Sequence, residues 1–255
     1  MAPKQPKKKT STDASNSAEA PLFTIIIPVY NEEELLFEAA SEVCKHYDEQ
    51  GANYELIIAE NGSKDRTREI GKELCDNFPA LRLMQNEEPN YGLALRRGIE
   101  AARGTYVLCD EIDICDLDFH RRALAVLQSD QCDMVIGSKL HEDALDNRPL
   151  LRHVATIGIN LLLKILLDFK GTDTHGLKAF QRETLLNVVG DCIVDKDLFA
   201  SEMVIRAERN NYRILEIPVE IEEKRKPSIN LFTRVPNVLK NLGKLVLAIR
   251  FDREI

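Results

Sequence analysis

From Leu22 onward, short apolar runs rich in β-branched residues alternate with longer amphipathic stretches. Phe23-Thr24-Ile25-Ile26-Ile27, closed by Pro28, predicts a strand buried on both faces. Asn31 followed by Glu32, Glu33 and Glu34 predicts a helix running to about Gln50. Asn31 would cap its free amides, and the glutamates would sit in the first turn, where the helix dipole favours them. The alternation then repeats, with strands predicted at 54–59, 81–84 and 105–109 and helices at 65–78 and 91–102. Further helices are predicted at 118–128, 150–167, 181–189 and near 200–210, with strands at 134–136 and 213–221. An amphipathic helix runs from Leu231 to about Arg250.

Strands and helices at this spacing imply βαβ units, hence an α/β domain with a Rossmann-like, mostly parallel mixed sheet covered by helices on both faces. Ligands of such sheets gather beyond the carboxyl ends of the strands. Three of those ends run into polar or acidic turns, at Asn31, at Glu60-Asn61 and at Glu111 with Asp113. No Gly-x-Gly-x-x-Gly follows the first strand and no Gly-x-x-x-x-Gly-Lys-Ser/Thr loop is present, which argues against dinucleotide and nucleoside triphosphate folds. The expected organisation is a disordered polar tail over 1–20, one domain over 21–230, and a C-terminal helix over 231–255 packed on the domain or on a membrane surface.

The 255 residues suffice for one sizeable core. A formal charge of −8 argues against broad nucleic-acid binding, and the absence of Trp excludes sugar stacking on indole. Six cysteines without a Cys-x-x-Cys pair, and no signal peptide, predict reduced thiols in a cytoplasmic protein. No apolar stretch reaches the length that spans a bilayer, so any membrane association would be peripheral.

Candidate chemistry sits on the strand-end turns. Glu111 and Asp113 follow a buried strand, and extended alternation would turn both carboxylates to one side, where they could share a hard divalent ion bridging the phosphates of a nucleotide sugar. The plainer alternative is a solvated acidic turn. Glu60 can accept hydrogen bonds from a ribose or a base, with Gly62-Ser63 forming a tight turn and Asp65 capping the next helix. Gly92 would let backbone pass close to a nucleotide, with Arg96 or Arg97 nearby; structural capping accounts for it equally well. Asp173 is a candidate for binding an acceptor or assisting its deprotonation, while His175 is more simply a packing or surface residue. Glu202, in an apolar context, needs a partner or a function. Lys224-Arg225-Lys226 suits a diphosphate or a lipid phosphate.

In order along the chain, Ile26-Ile27-Pro28-Val29-Tyr30-Asn31-Glu32-Glu33, Glu60-Asn61-Gly62-Ser63-Lys64-Asp65, Tyr91-Gly92, Gly98 to Gly104, Glu111-Ile112-Asp113, Gly137-Ser138-Lys139, Asp173-Thr174-His175-Gly176, Glu202-Met203 and Glu216-Ile217-Pro218-Val219 resemble glycosyltransferase family 2 with the GT-A fold. The resemblance covers roughly 23–250 and is greatest to the branch of dolichyl- and polyprenyl-phosphate mannose or glucose synthases. It implies an inverting transfer of a hexose, mannose or glucose, from a nucleotide diphosphate sugar to a polyprenyl or dolichyl phosphate. A soluble saccharide acceptor and a catalytically silent, scaffold-like relative are the alternatives. The resemblance further implies Mg2+ or Mn2+ held by Glu111 and Asp113, with Asp110 and Asp113 as a shifted possibility. The donor would lie near Pro28, Asn31, Glu32, Glu60, Gly62, Gly92, Arg96, Glu111 and Glu202. Asp173, Asp113 and Arg225 would act on the reacting groups, beside an anionic membrane surface or a small membrane subunit at the cytosolic face. The sequence departs from the family where Glu60-Asn61 replaces a pair of aspartates, where Glu111 replaces an aspartate, where His175 replaces serine or threonine, and where a lysine is missing after Ser228.

Overall fold

The computed structural model describes residues 20–146, 150–196, 198–221 and 231–251. The elements follow in the order β1 (Phe23–Val29), α1 (Leu36–Glu49), β2 (Tyr54–Asn61), α2 (Thr67–Asn77), β3 (Leu81–Asn86), α3 (Tyr91–Ala101), β4 (Tyr106–Cys109), α4 (Leu117–Gln128) and β5 (Met134–Ser138). Then come β6 (Leu145–Asp146), α5 (Leu150–Leu167), β7 (Leu177–Gln181), α6 (Arg182–Asp191), α7 (Phe199–Arg209), β8 (Ile214–Pro218), β9 (Glu220–Ile221) and α8 (Leu231–Phe251). Seven strands form one sheet in the order β3-β2-β1-β4-β7-β5-β8, and β6 pairs with β9. β7 runs antiparallel to both neighbours and every other pair is parallel, so the sheet is mixed.

Period-two alternation sends successive strand residues to opposite faces, and two cores result. Ile25, Ile27, Leu56 and Ile58 point to one face and pack with α1, α2 and α4 through Leu36, Val43, Leu74, Phe119 and Ala123. Ile26, Ile57 and Ala59 point to the other and join α3, α5, α6, α7 and α8 through Leu95, Ile99, Leu163, Val188, Met203 and Leu245. Each such fully buried aliphatic side chain contributes about 1.5–3 kcal/mol. Val154, Ile157, Leu161 and Ile165 remain exposed on α5. Among the described residues no helix is long and apolar enough to cross a membrane.

The predicted elements are present with shifted ends. α1 begins at Leu36 rather than after Asn31, because Asn31 adopts a positive φ of 52° and its side chain is spent elsewhere. The predicted strand at 213–221 splits at Val219 into β8 and β9. β7 was not anticipated: its five residues hold only three apolar ones, interrupted by Lys178, and its antiparallel insertion puts that lysine between β4 and β5. Residues 1–19 of the expected tail lie outside the described residues, as does Arg225 with Lys224 and Lys226.

Candidate active site

The loop after β1 is laced to the loop after β2. Asn31 N donates to Ser63 Oγ at 2.9 Å, and Asn31 Oδ1 accepts from Lys64 N at 2.8 Å. Glu32 N donates to Thr67 Oγ1 at 2.8 Å, Glu33 N to Asp65 Oδ2 at 3.2 Å, and Glu33 Oε2 accepts Arg66 N at 3.1 Å. Asp65 also accepts Thr67 N at 3.0 Å, while the N-cap position of α2 itself falls on Arg66. Glu60 is fully buried; its carboxylate accepts Ser63 N and, at 2.8 Å, Arg68 Nε. Gly62 turns the chain at φ 74°, where a side chain would also strike the Glu88–Pro89 backbone. These groups, with buried Pro28 at the end of β1, form a rigid floor at the carboxyl edge of β1 and β2.

Gly92 allows a close backbone approach, but to another part of the chain: a Cβ there would lie 1.8 Å from the carbonyl oxygen of Asp195. Arg96 faces the same loop, 3.6 Å from Asp195 and 5.4 Å over the Phe199 ring. Glu202 is closed to solvent, accepting Ile193 N and Val194 N at 3.0 and 2.7 Å and Arg206 Nε at 2.7 Å. Gly92, Arg96 and Glu202 therefore gather around the 193–196 loop.

Beyond β4 the chain does not stay extended. Ile114 N and Cys115 N both donate to Glu111 O at 3.0 Å, so Glu111 to Cys115 is a tight turn and the expected strand alternation does not operate there. Asp110 is 2% exposed and supports the turn from inside, accepting Glu111 N at 2.6 Å and Asp116 N at 3.1 Å. Glu111 and Asp113 are half-buried on the turn itself. Tyr91, at the start of α3, is 39% exposed, and its hydroxyl lies within reach of the charges of Glu111 and Asp113.

Asp173 forms the opposite side. It is fully buried, with Oδ1 accepting His175 N at 2.8 Å and Oδ2 accepting Lys139 N at 3.3 Å. Burial alone would raise its pKa, but the Lys139 charge, the His175 N–H and the Lys178 charge outweigh it and hold the carboxyl below its usual range. Burial pulls His175 down to about 4, so its imidazole is neutral at pH 7; Nδ1 lies 3.1 Å from Thr174 Oγ1. Burial also lowers Lys178, whose Nζ donates to Gly176 O at 2.6 Å, while Cys109, Asp173 and Glu111 oppose the shift. Lys139 Nζ reaches Glu111 Oε1 at 3.8 Å.

The structure thus brings Glu111 and Asp173 together through Lys139 and Lys178, which the sequence reading did not place in the site. A lone lysine inside Leu177-Lys178-Ala179-Phe180 was the available signal. The carboxylate turn fits a hard divalent cation, since two oxygen-bearing side chains stand on a turn anchored by buried Asp110. Among the described residues no group of three or more His, Cys, Asp or Glu side chains assembles to hold a metal.

The family described as "Glycosyl transferase family 2" matches residues 24–190. A relative from Haloferax volcanii, "Glycosyltransferase AglD", is 27% identical over 91% of this chain, which spans 39% of the relative's length. "Dolichyl-phosphate beta-glucosyltransferase" from Dictyostelium discoideum is 27% identical over 87% of this chain and 73% of its own. Among solved structures, glucosyl-3-phosphoglycerate synthase from Mycobacterium tuberculosis with Mn2+, uridine diphosphate and phosphoglyceric acid has a TM-score of 0.64 and 16% identity, covering 89% of this chain and 78% of that one. A second structure of that enzyme, with Mg2+ and uridine diphosphate, has a TM-score of 0.62 at 15% identity, covering 89% of this chain and 79% of that one. These likenesses correct one expectation. The same fold houses a small water-soluble acceptor, so the motif order from which a polyprenyl or dolichyl phosphate and a membrane partner were inferred does not carry that acceptor.

Proposed function

The chain belongs to glycosyl transferase family 2 and is a glycosyltransferase, and on that premise we propose that it moves a hexosyl group from a uridine diphosphate sugar to a hydroxyl of a small, soluble, anionic acceptor. The observation that supports the reading is the convergence of Glu111, Lys139, Asp173 and Lys178, with two buried lysines near the carboxylate turn and Asp173. The donor and acceptor classes follow those named for the mycobacterial synthase.

In this reading the nucleoside lies along the floor built from Pro28, Asn31, Glu32, Glu60 and Gly62. When bound, a divalent cation held by Glu111 and Asp113 neutralises charge on the departing diphosphate. Lys139 and Lys178 hold the anionic group of the acceptor by charge-assisted hydrogen bonds and so orient its hydroxyl towards the anomeric carbon. A new carbon–oxygen bond forms there as the bond to the diphosphate breaks, and its electron pair leaves with the diphosphate. At neutral pH Asp173 is ionised and His175 is neutral, so both stand in the proton-accepting form for the hydroxyl proton. Asp173, with each oxygen already taking a backbone N–H, also fixes the loop that carries His175. The six free thiols support work in a reducing compartment.

The test is a product screen by mass spectrometry. Uridine diphosphate glucose and other nucleotide sugars are offered with phosphoglycerate, with other phosphorylated or carboxylated hydroxy acids, and with neutral sugars. A glycosylated anionic acceptor is the expected product; transfer to neutral sugars alone, or donor binding with no transfer to any acceptor, contradicts the proposal.

A further inference from the structure

His120 lies on α4, ten residues past Asp110, and is completely buried. Its Nδ1 is 2.9 Å from the Tyr47 hydroxyl on α1, and the two rings stack with centroids 6.3 Å apart at 21°. Its Nε2 lies 2.7 Å from Asp110 Oδ2. That approach is close but not straight, because no hydrogen bond of good geometry reaches Nε2, so proximity rather than a linear bond couples the pair. Asp110 in turn takes Glu111 N on one oxygen and Asp116 N on the other, the two ends of the turn bearing Glu111 and Asp113. Asp116 continues the chain of contacts by capping α4 through Phe119 N at 2.8 Å and accepting His120 N at 3.0 Å.

Burying a histidine beside a carboxylate is a poor way to gain stability, since a well-packed apolar pair of similar volume is often as good. Geometry offers a better reason. Apolar packing does not fix where a carboxylate points, whereas the run from Tyr47 through His120 to Asp110 sets both oxygens against the turn. We propose that His120 is a positioning residue which, through Asp110, holds the Glu111–Asp113 turn in the shape that takes up a divalent cation beside the nucleotide diphosphate. This inference rests on the reading that Glu111 and Asp113 hold that cation.

The test measures Mn2+ affinity in the presence of uridine diphosphate, by the electron paramagnetic resonance signal of free Mn2+, together with thermal melting. Full-length wild type is compared with His120→Leu, His120→Gln and Tyr47→Phe. His120→Leu is expected to weaken Mn2+ binding by roughly ten- to a hundredfold, as loss of a group supporting a ligand does. His120→Gln, which can again reach Asp110, should recover most of the affinity. A folded His120→Leu variant that binds Mn2+ as wild type does overturns the inference. Should that variant not fold, Tyr47→Phe decides: weaker Mn2+ binding supports the inference and unchanged binding overturns it. Wild type that holds no Mn2+ beside uridine diphosphate defeats the metal-site reading and this inference with it, whereas wild-type binding with an indifferent His120→Leu defeats this inference alone.

Discussion

The side-chain oxygen of Asn61 accepts the backbone N–H of Asn90, fastening the end of β2 to the cap of α3. Asn90 then caps α3 by accepting Leu93 N at 3.1 Å. One amide therefore connects the floor at the carboxyl edge of β1 and β2 to the helix whose first residue, Tyr91, stands by the carboxylate turn. An aspartate at position 61, the usual residue of the family, offers the same acceptor. Asn61→Asp should keep the wild-type urea midpoint, while Asn61→Ala, which leaves the Asn90 N–H without its partner, should cost about 1–3 kcal/mol. An unchanged midpoint for Asn61→Ala would contradict this linkage.

Asp113→Ala should lower transfer at saturating donor by at least about a hundredfold, since the cation would keep only Glu111 as a protein ligand. Chelation should stop wild-type turnover, and added Mn2+ should restore it. A variant as active as wild type in the same assay would remove Asp113 from the metal site.

Acid should unfold the protein through Glu55. This carboxylate is buried at the amino ends of β1 and β2, where it meets Thr24 Oγ1 at 2.8 Å, Arg82, and both Arg103 N and Nε at 3.0 and 2.8 Å. Burial pushes its pKa up, but the Arg82, Arg103 and Thr24 contacts prevail and hold it below the ordinary value. A depressed folded pKa means that the unfolded chain takes up the proton first. The stabilisation is therefore complete above the usual glutamate range of about 4.3 and is lost as pH falls through the lower folded value. Melting temperature against pH should show that acid limb in wild type, and Glu55→Gln should show a lower, flatter curve. Identical slopes would exclude Glu55 as the source.

His175 should titrate far below an ordinary histidine. Its imidazole is held to about 4, so between that pH and about 6.5 the unfolded chain binds a proton that the folded chain refuses. This contribution to stability is whole above pH 6.5 and falls away towards pH 4. Proton NMR of the ring should show the neutral form at pH 6, and a midpoint near 6.5 would contradict the depressed titration.

Much of the fold was legible because buried parallel strands carry their signature in a few residues. Phe23 to Ile27 and Tyr54 to Ala59 are buried on both faces and apolar except for Thr24 and Glu55. The start of α1 was misread for an equally local reason. Asn31 and the glutamates make a good cap in isolation, but Ser63, Lys64, Asp65 and Thr67 claim those groups across 32 to 35 residues of chain. The site divides in the same way. Glu111, Asp113 and Asp173 stand out as acids next to strands, whereas Lys139 and Lys178 acquire meaning only when the antiparallel β7 sets β4 and β5 side by side. His120 gave no signal at all, since its partners Tyr47 and Asp110 come from two other elements.

The most direct measurement is the acceptor dependence of hexosyl transfer from uridine diphosphate glucose, comparing wild type with Lys139→Met and Lys178→Met. Losing one charge-assisted contact of about 1.5–3 kcal/mol should raise KM for an anionic acceptor such as phosphoglycerate by roughly ten- to a hundredfold and leave KM for the donor nearly unchanged. Equal acceptor KM values in all three proteins, or transfer indifferent to the acceptor's charge, would contradict the account.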